Sequence, residues 1–133
     1  MTTIVVGYVD SPEGQAALEK SVEEAQLRNA KLIIVHSMRG GQTLDMVEAV
    51  HYERILEDVQ ADLRSRSVDV EVRQLVRGHD AAEDLLSIAT EESADLIVIG
   101  LRRRSPVGKL VLGSKSQEIL LDATCPVLAV KAG

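Results

Sequence analysis

Short apolar runs alternate along the chain with longer stretches in which apolar residues return every three or four positions. This is the pattern of strands separated by amphipathic helices. Ile4-Val5-Val6-Gly7-Tyr8-Val9 reads as a buried strand. Ser11 then offers an N-cap hydroxyl, and Pro12 takes the first helical position, where a missing N–H costs nothing. The spacing predicts a helix from about Pro12 to Asn29, with Ala17, Leu18, Val22, Ala25 and Leu27 on its inner face. A second strand falls within Lys31–Ser37, followed by a loop over residues 38–45 that holds Gly40-Gly41. From Met46 to Arg66, Val47, Val50, Ile55, Val59 and Leu63 recur at helical spacing, whereas Val68–Val76 alternates with period two. Asp80 with Glu83 forms a capping pattern ahead of a helix over Ala81–Ser93. Asp95–Gly100 is the strongest strand pattern in the chain. A basic loop, a helix from near Gly113 to Asp122 and a last strand, Pro126–Lys131, complete the order.

Nothing in this order suggests a linker or an internal repeat, so residues 1–133 are expected to form one domain. Continuous apolar runs such as Ile4–Val6 and Leu96–Ile99 imply strands covered on both faces, as in a parallel sheet. The predicted fold is α/β, a five-stranded, parallel, doubly wound sheet of Rossmann-like type flanked by four helices. Ligands of such sheets occupy the crevice at the strand carboxyl ends, where the winding direction reverses. With the first and fourth strands at that point, the crevice lies between Gly7-Tyr8-Val9-Asp10 and the segment that begins at Gly100. That segment ends at Gly113-Ser114, which open a helix. Free N–H groups and the helix dipole would suit a phosphate near Gly113, Ser114 and Ser116. Turning and capping the helix is an equally good use for Gly113 and Ser114. Gly-x-Gly-x-x-Gly does not follow the first strand, and Gly108-Lys109 lacks the upstream glycine of a P-loop.

Composition narrows the partners. There is no Trp and no Phe, and the only aromatic residues of the FWY set are Tyr8 and Tyr52, so a stacking platform for single-stranded nucleic acid is not expected. A formal net charge of −6 argues against nucleic acid and anionic membrane partners alike. The single cysteine, Cys125, excludes an intrachain disulfide and reads as a small core residue. No apolar run approaches the roughly 20 residues of a membrane span, and Met1-Thr2-Thr3 leads straight into a strand. The expected setting is the cytoplasm.

Gly100-Leu-Arg-Arg-Arg-Ser-Pro-Val-Gly-Lys-Leu-Val-Leu-Gly113-Ser114 resembles the Gly-x2-Gly-x9-Gly-Ser/Thr motif of universal stress proteins. Ala94–Gly100 resembles the fourth strand of that family, Cys125–Lys131 its fifth, and Ile4–Gly7 with Ser11–Leu18 its first strand and helix. The resemblance spans essentially the whole chain. It implies a module of stress response, not an enzyme, that binds ATP or AMP, with or without Mg²⁺, and dimerises through the last strand, Pro126–Lys131. It implies a binding set of Gly7, Tyr8, Val9, Asp10, Ser37, Gly100, Arg103, Gly113, Ser114, Lys115 and Ser116, and no catalytic or metal-ligating residues. Two positions depart from the family pattern. Arg103 stands where the second motif glycine would be, and Val9 where the adenine-side aspartate would be, with Asp10 one position later. Arg102, Arg103 and Arg104 are either phosphate partners or a solvated charge run.

Three expectations follow from these departures. The first is a nucleotide-binding regulatory module acting through two states of the loop 101–112. The second is a nucleotide-free dimeric interaction protein, recognised by a crevice blocked by Arg103 or Tyr8, with an unidentified protein partner. The third is a slow ATPase in which Asp10 touches a phosphate-bound Mg²⁺. His36 ends the second strand and reads as a structural histidine ahead of an adenine contact, while His51 and His79 read as surface residues. Glu23-Glu24 and Glu91-Glu92 read as helix-surface charges.

Overall fold

The structure, a computed structural model, describes residues 2–38, 43–76, 80–102 and 113–132, with Thr43, Leu44, Asp45 and Val76 described by backbone alone. The elements follow the order β1 (Thr3–Gly7), α1 (Pro12–Arg28), β2 (Lys31–Met38), α2 (Thr43–Ser65), β3 (Val70–Val76), α3 (Ala81–Glu91), β4 (Leu96–Leu101), α4 (Ser114–Asp122) and β5 (Val127–Lys131). All four strand pairings are parallel, and the sheet order is β3-β2-β1-β4-β5. The winding therefore reverses between β1 and β4, as the sequence predicts.

Strand alternation sorts the core into two layers. Ile4, Val6, Leu32, Ile34, Leu96 and Val98 pack with α1 and α2, whereas Val5, Ile33, Val35, Ile97 and Ile99 pack with α3 and α4. Each such aliphatic side chain, once fully buried, contributes roughly 1.5–3 kcal/mol. Among the described residues, no helix is long and apolar enough to cross a membrane.

Element ends have local causes. Ser11 caps α1 by accepting from the Gly14 amide at 3.1 Å, with Pro12 at the first turn. Asn29 ends that helix in the left-handed region (φ 52°), its N–H turned to the carbonyls of Ala25 and Gln26. β3 begins two residues later than its alternation suggests. The Val68 amide instead closes α2 by donating to Leu63 O, after Ser67 at φ 61°. Likewise α3 stops at Glu91, because Ser93 turns left-handed and Ala94 N–H donates to Ala89 O. Pro126 has no amide to offer a ladder, but its carbonyl accepts from Ile97 N–H and starts β5.

Three apolar residues expected on inner helix faces are exposed. Leu27 (75% exposed) lies two residues, roughly 200° around the helix, from the Ala25 stripe. Val47 and Val50 fall outside the α2 stripe of Tyr52, Ile55, Leu56, Val59 and Leu63 for the same reason.

Candidate functional site

At the carboxyl ends of the strands, the sheet face toward α3 and α4 carries Gly7, Val35, Ser37 and Ile99. Two of these four are small, and α3 adds Ala81 and Ala82 opposite them. The result is a cavity of about 200 Å³ between the sheet, Leu85 of α3 and Ile119 of α4. Its walls are mainly apolar, and its polar groups are few: the Ser37 hydroxyl, Glu13, Lys115 and Ser116. This is the usual make-up of a small-molecule site.

A second compartment of about 290 Å³ adjoins it, with Val9, Glu13, Gly100, Lys115 and Ser116 lining both. Leu101, Arg102 and Gly113 line the second compartment alone. Here α4 begins. Gly113 is its N-cap and provides no side-chain hydrogen bond to the first turn, and helix N-terminal amides of this kind suit an anion. Lys115 and Arg102 supply positive charge at this end. Arg102 Nε donates to Glu13 Oε1 at 3.2 Å, and the Glu13 carboxyl is held below its ordinary range. The largest cause is a hydrogen bond from its own backbone amide; the Ser11 hydroxyl and Arg102 add to it.

Close backbone approach builds the wall between β1, β4 and α1. A Cβ at Gly14 would lie 1.8 Å from Val9 O, and one at Gly100 would lie 2.2 Å from Glu13 O. The missing side chains thus let the start of α1 sit directly on the ends of β1 and β4. Gly100 lines both compartments, and its lack of a side chain is required by α1 itself.

The sheet face toward α1 and α2 is filled at the same level. Tyr8, His36 and Tyr52 are buried there, with the His36 and Tyr52 rings stacked at 3.6 Å. His36 Nδ1 lies 2.9 Å from Tyr8 O, so that nitrogen carries a proton and donates it. Nε2 is buried, with no hydrogen-bond partner among the described residues, and burial pushes the pKa of the ring down. The uncharged ring suits this apolar stack. Burial, with Asp10 and Tyr52 nearby, pushes the Tyr8 hydroxyl up, and Gln15 Nε2 donates to it at 2.7 Å. Asp10 is drawn to this side as well: its N–H donates to Tyr52 Oη at 3.0 Å, and its carboxylate lies 3.3 Å from His51 Nε2.

Of the residues singled out from sequence, Gly7, Tyr8, Val9, Ser37, Gly100, Lys115 and Ser116 line the first cavity, and Gly113 joins in the second. Asp10 lines neither, because its backbone and carboxylate are both engaged by α2. Ser114 is exposed at the first position of α4 and lines neither. Arg103 and His79, with the segment 103–112, lie outside the described residues. His51 is exposed as expected; Glu24 pairs with Arg28, and Glu92 pairs with Arg73 of β3. Cys125 is half-buried, and burial pushes its thiol up, away from the reactive range. Among the described residues, no group of three or more His, Cys, Asp or Glu could hold a metal ion.

Sequence reasoning passed over Glu13, Gly14, Ala81, Ala82, Leu85 and Ile119 as lining residues. Gly14 had a signal: a glycine inside the first turn of a helix costs roughly 0.5–1 kcal/mol against Ala, which points to a close approach. The α3 residues carried none, because Ala81, Ala82 and Leu85 read as ordinary helix formers.

The sequence profile of the Universal stress protein family matches residues 1–131. A "Universal stress protein" of Mycolicibacterium smegmatis is 45% identical over 128 residues, covering 96% of each chain. A universal stress protein from Archaeoglobus fulgidus superposes with a TM-score of 0.82 at 35% identity, covering 98% of this chain and 99% of the other. Another structure from that organism, in complex with dAMP, superposes with a TM-score of 0.78 at 30% identity, covering 98% of both chains.

Proposed function

The chain belongs to the universal stress protein family, and from that premise we propose that it is a cytoplasmic stress-response module that binds an adenine nucleotide, AMP or ATP, in the crevice bounded by β1, β4, α3 and α4. One observation carries this reading: an apolar slot adjoins a compartment where the α4 N-terminus has no side-chain cap. The slot suits a purine, and the α4 amides with Lys115 and Arg102 suit its phosphate. Gly7, Val35, Leu85 and Ile99 would hold the base, and Gly113, Lys115 and Ser116 the phosphate. The ligand supplies charge and shape, not a reaction. The dAMP bound by the Archaeoglobus relative supports the choice of ligand class.

The nucleotide-free alternative expects Tyr8 or Arg103 in the crevice. Tyr8 lines the first cavity, but its buried hydroxyl is turned to Gln15 of α1 and leaves the cavity open, which favours the binding reading. The ATPase alternative relied on Asp10 beside a phosphate-bound Mg²⁺. Its carboxylate is instead directed to His51, so the proposed role is binding without turnover. β5 is an outer strand joined to β4, and a second copy pairing along Val127–Lys131 would satisfy its other edge. The Ile97 N–H to Pro126 O bond sets a register in which the Ala129 amide faces that outer edge. Sedimentation equilibrium of an Ala129→Pro variant therefore tests the dimer, and the variant should run as a monomer.

Gly113→Asp tests the site. It places a carboxylate at the N-cap, where it would accept the α4 amides and repel a phosphate. Calorimetry should show saturable AMP binding by the wild-type chain and a loss of roughly tenfold or more in the variant. Equal affinity in a folded variant would remove the phosphate assignment.

A further inference from the structure

One buried charged group near the crevice has no part in the reading above. Asp84, in the first turn of α3, is 2% exposed, and Ser37 Oγ of β2 donates its hydrogen bond to Asp84 Oδ2. Ser37 lines the inner cavity, while Asp84 stands behind it. A hydroxyl has one proton and two lone pairs. A carboxylate oxygen can only accept, so the Ser37 proton is committed to Asp84. What Ser37 presents to the cavity is therefore an oxygen with lone pairs alone.

Position sets what that oxygen would meet. Ser37 lies on β2 and Gly100 on β4, with β1 between them; two strand spacings amount to roughly 10 Å. Ser37 lines only the apolar compartment, whereas Gly113 lines only the other one. A nucleotide with its phosphate at α4 would thus bring the far edge of its base to Ser37.

Resting on the nucleotide reading, we propose that the Ser37–Asp84 pair selects the base, by making this end of the crevice an acceptor that takes a 6-amino purine and rejects a 6-oxo purine. Ser37 is the contacting residue. Asp84 is a positioning residue that fixes the direction of the Ser37 hydroxyl. Adenine offers an amino donor at this edge, whereas hypoxanthine and guanine offer a carbonyl oxygen. That carbonyl would face the Ser37 lone pairs with the Asp84 charge behind them. Sites built to hydrogen-bond one group discriminate strongly against an analogue that lacks it, because the polar atoms are left unpaired in an apolar slot.

The probes are AMP and IMP, titrated calorimetrically into the full-length chain, with Ser37→Ala and Asp84→Asn beside the wild type. The wild type should prefer AMP by roughly tenfold or more. Asp84→Asn is close to isosteric, and its amide can donate to Ser37 Oγ. The Ser37 proton is then free to turn to the cavity, so the AMP:IMP ratio should fall to about one or below. Ser37→Ala removes the oxygen and should also lower the ratio, even where Asp84→Asn weakens folding. The ratio is the decisive readout, since a merely structural role would lower both affinities together. AMP binding with an unchanged ratio in both variants overturns this inference and leaves the nucleotide reading standing. Absence of binding of either nucleotide to the wild type overturns both.

Discussion

The two faces of the sheet differ most at the strand carboxyl ends, although the same strands build both. Toward α1 and α2, Tyr8, His36 and Tyr52 fill the space between sheet and helices. Toward α3 and α4, the neighbouring positions are Gly7 and Ser37, and a cavity of about 200 Å³ remains. Tyr8 follows Gly7, and Ser37 follows His36, so a shift of one residue separates the filled face from the hollow one. The location of the crevice is thus decided by side-chain volume at alternating positions. Topology brings the strand ends together at β1 and β4 without choosing a face.

The largest effects should come from the glycines that make the close approach at α1. Gly14→Ala and Gly100→Ala would each drive a Cβ into backbone, and each should cost about 3 kcal/mol or more, read from urea midpoints. Gly7 offers the contrast. Its Cβ would meet only the end of the Leu85 side chain, Cδ2 at 3.3 Å and Cδ1 at 3.8 Å, so Gly7→Ala should cost less than about 1 kcal/mol. Gly7→Val sharpens the point: the chain should remain folded while AMP affinity falls roughly tenfold or more, because the added methyls enter the base compartment. Retained affinity would show that the ligand does not lie over Gly7.

Much of the fold was legible in the sequence, and the limits of that reading have physical causes. Strand and helix order followed from hydrophobic period, and Ser11-Pro12 marked the start of α1 through capping chemistry. Gly100 and Gly113, singled out from the motif spacing, lie at the strand ends where the two compartments open. Asp10 was misleading because its partners, Tyr52 and His51, lie about forty residues away on α2, and no local pattern encodes that contact. The α3 wall was missed because Ala82 and Leu85 form one apolar face whether they seal a core or line a cavity. Asp84 was missed because its significance depends on Ser37, on another element.

Two smaller predictions probe the filled face. Tyr52→Phe keeps the stack on His36 but leaves the Asp10 amide without its acceptor, and should cost about 1 kcal/mol in thermal or urea unfolding. His36 gives a pH signature. Burial, the largest cause, lowers its folded pKa; Tyr8 O and Glu48 oppose the shift. The unfolded chain therefore binds a proton more readily, and stability should decline as pH falls through about 6.5. The slope from this one group is at most about 1.4 kcal/mol per pH unit. Denaturant midpoints between neutral and mildly acidic pH should show this decline in the wild type and a flatter profile in His36→Phe.

The contrast between the two faces is tested most directly by amide chemical-shift mapping of the ¹⁵N-labelled chain titrated with AMP. Saturable shifts should centre on Gly7, Ser37, Leu85, Gly113 and Ser116, with His36 and Tyr52 little changed. Shifts centred on α2, or on the Asn29 and Ser67 end of the sheet, would contradict the account, as would the absence of any shift at millimolar AMP.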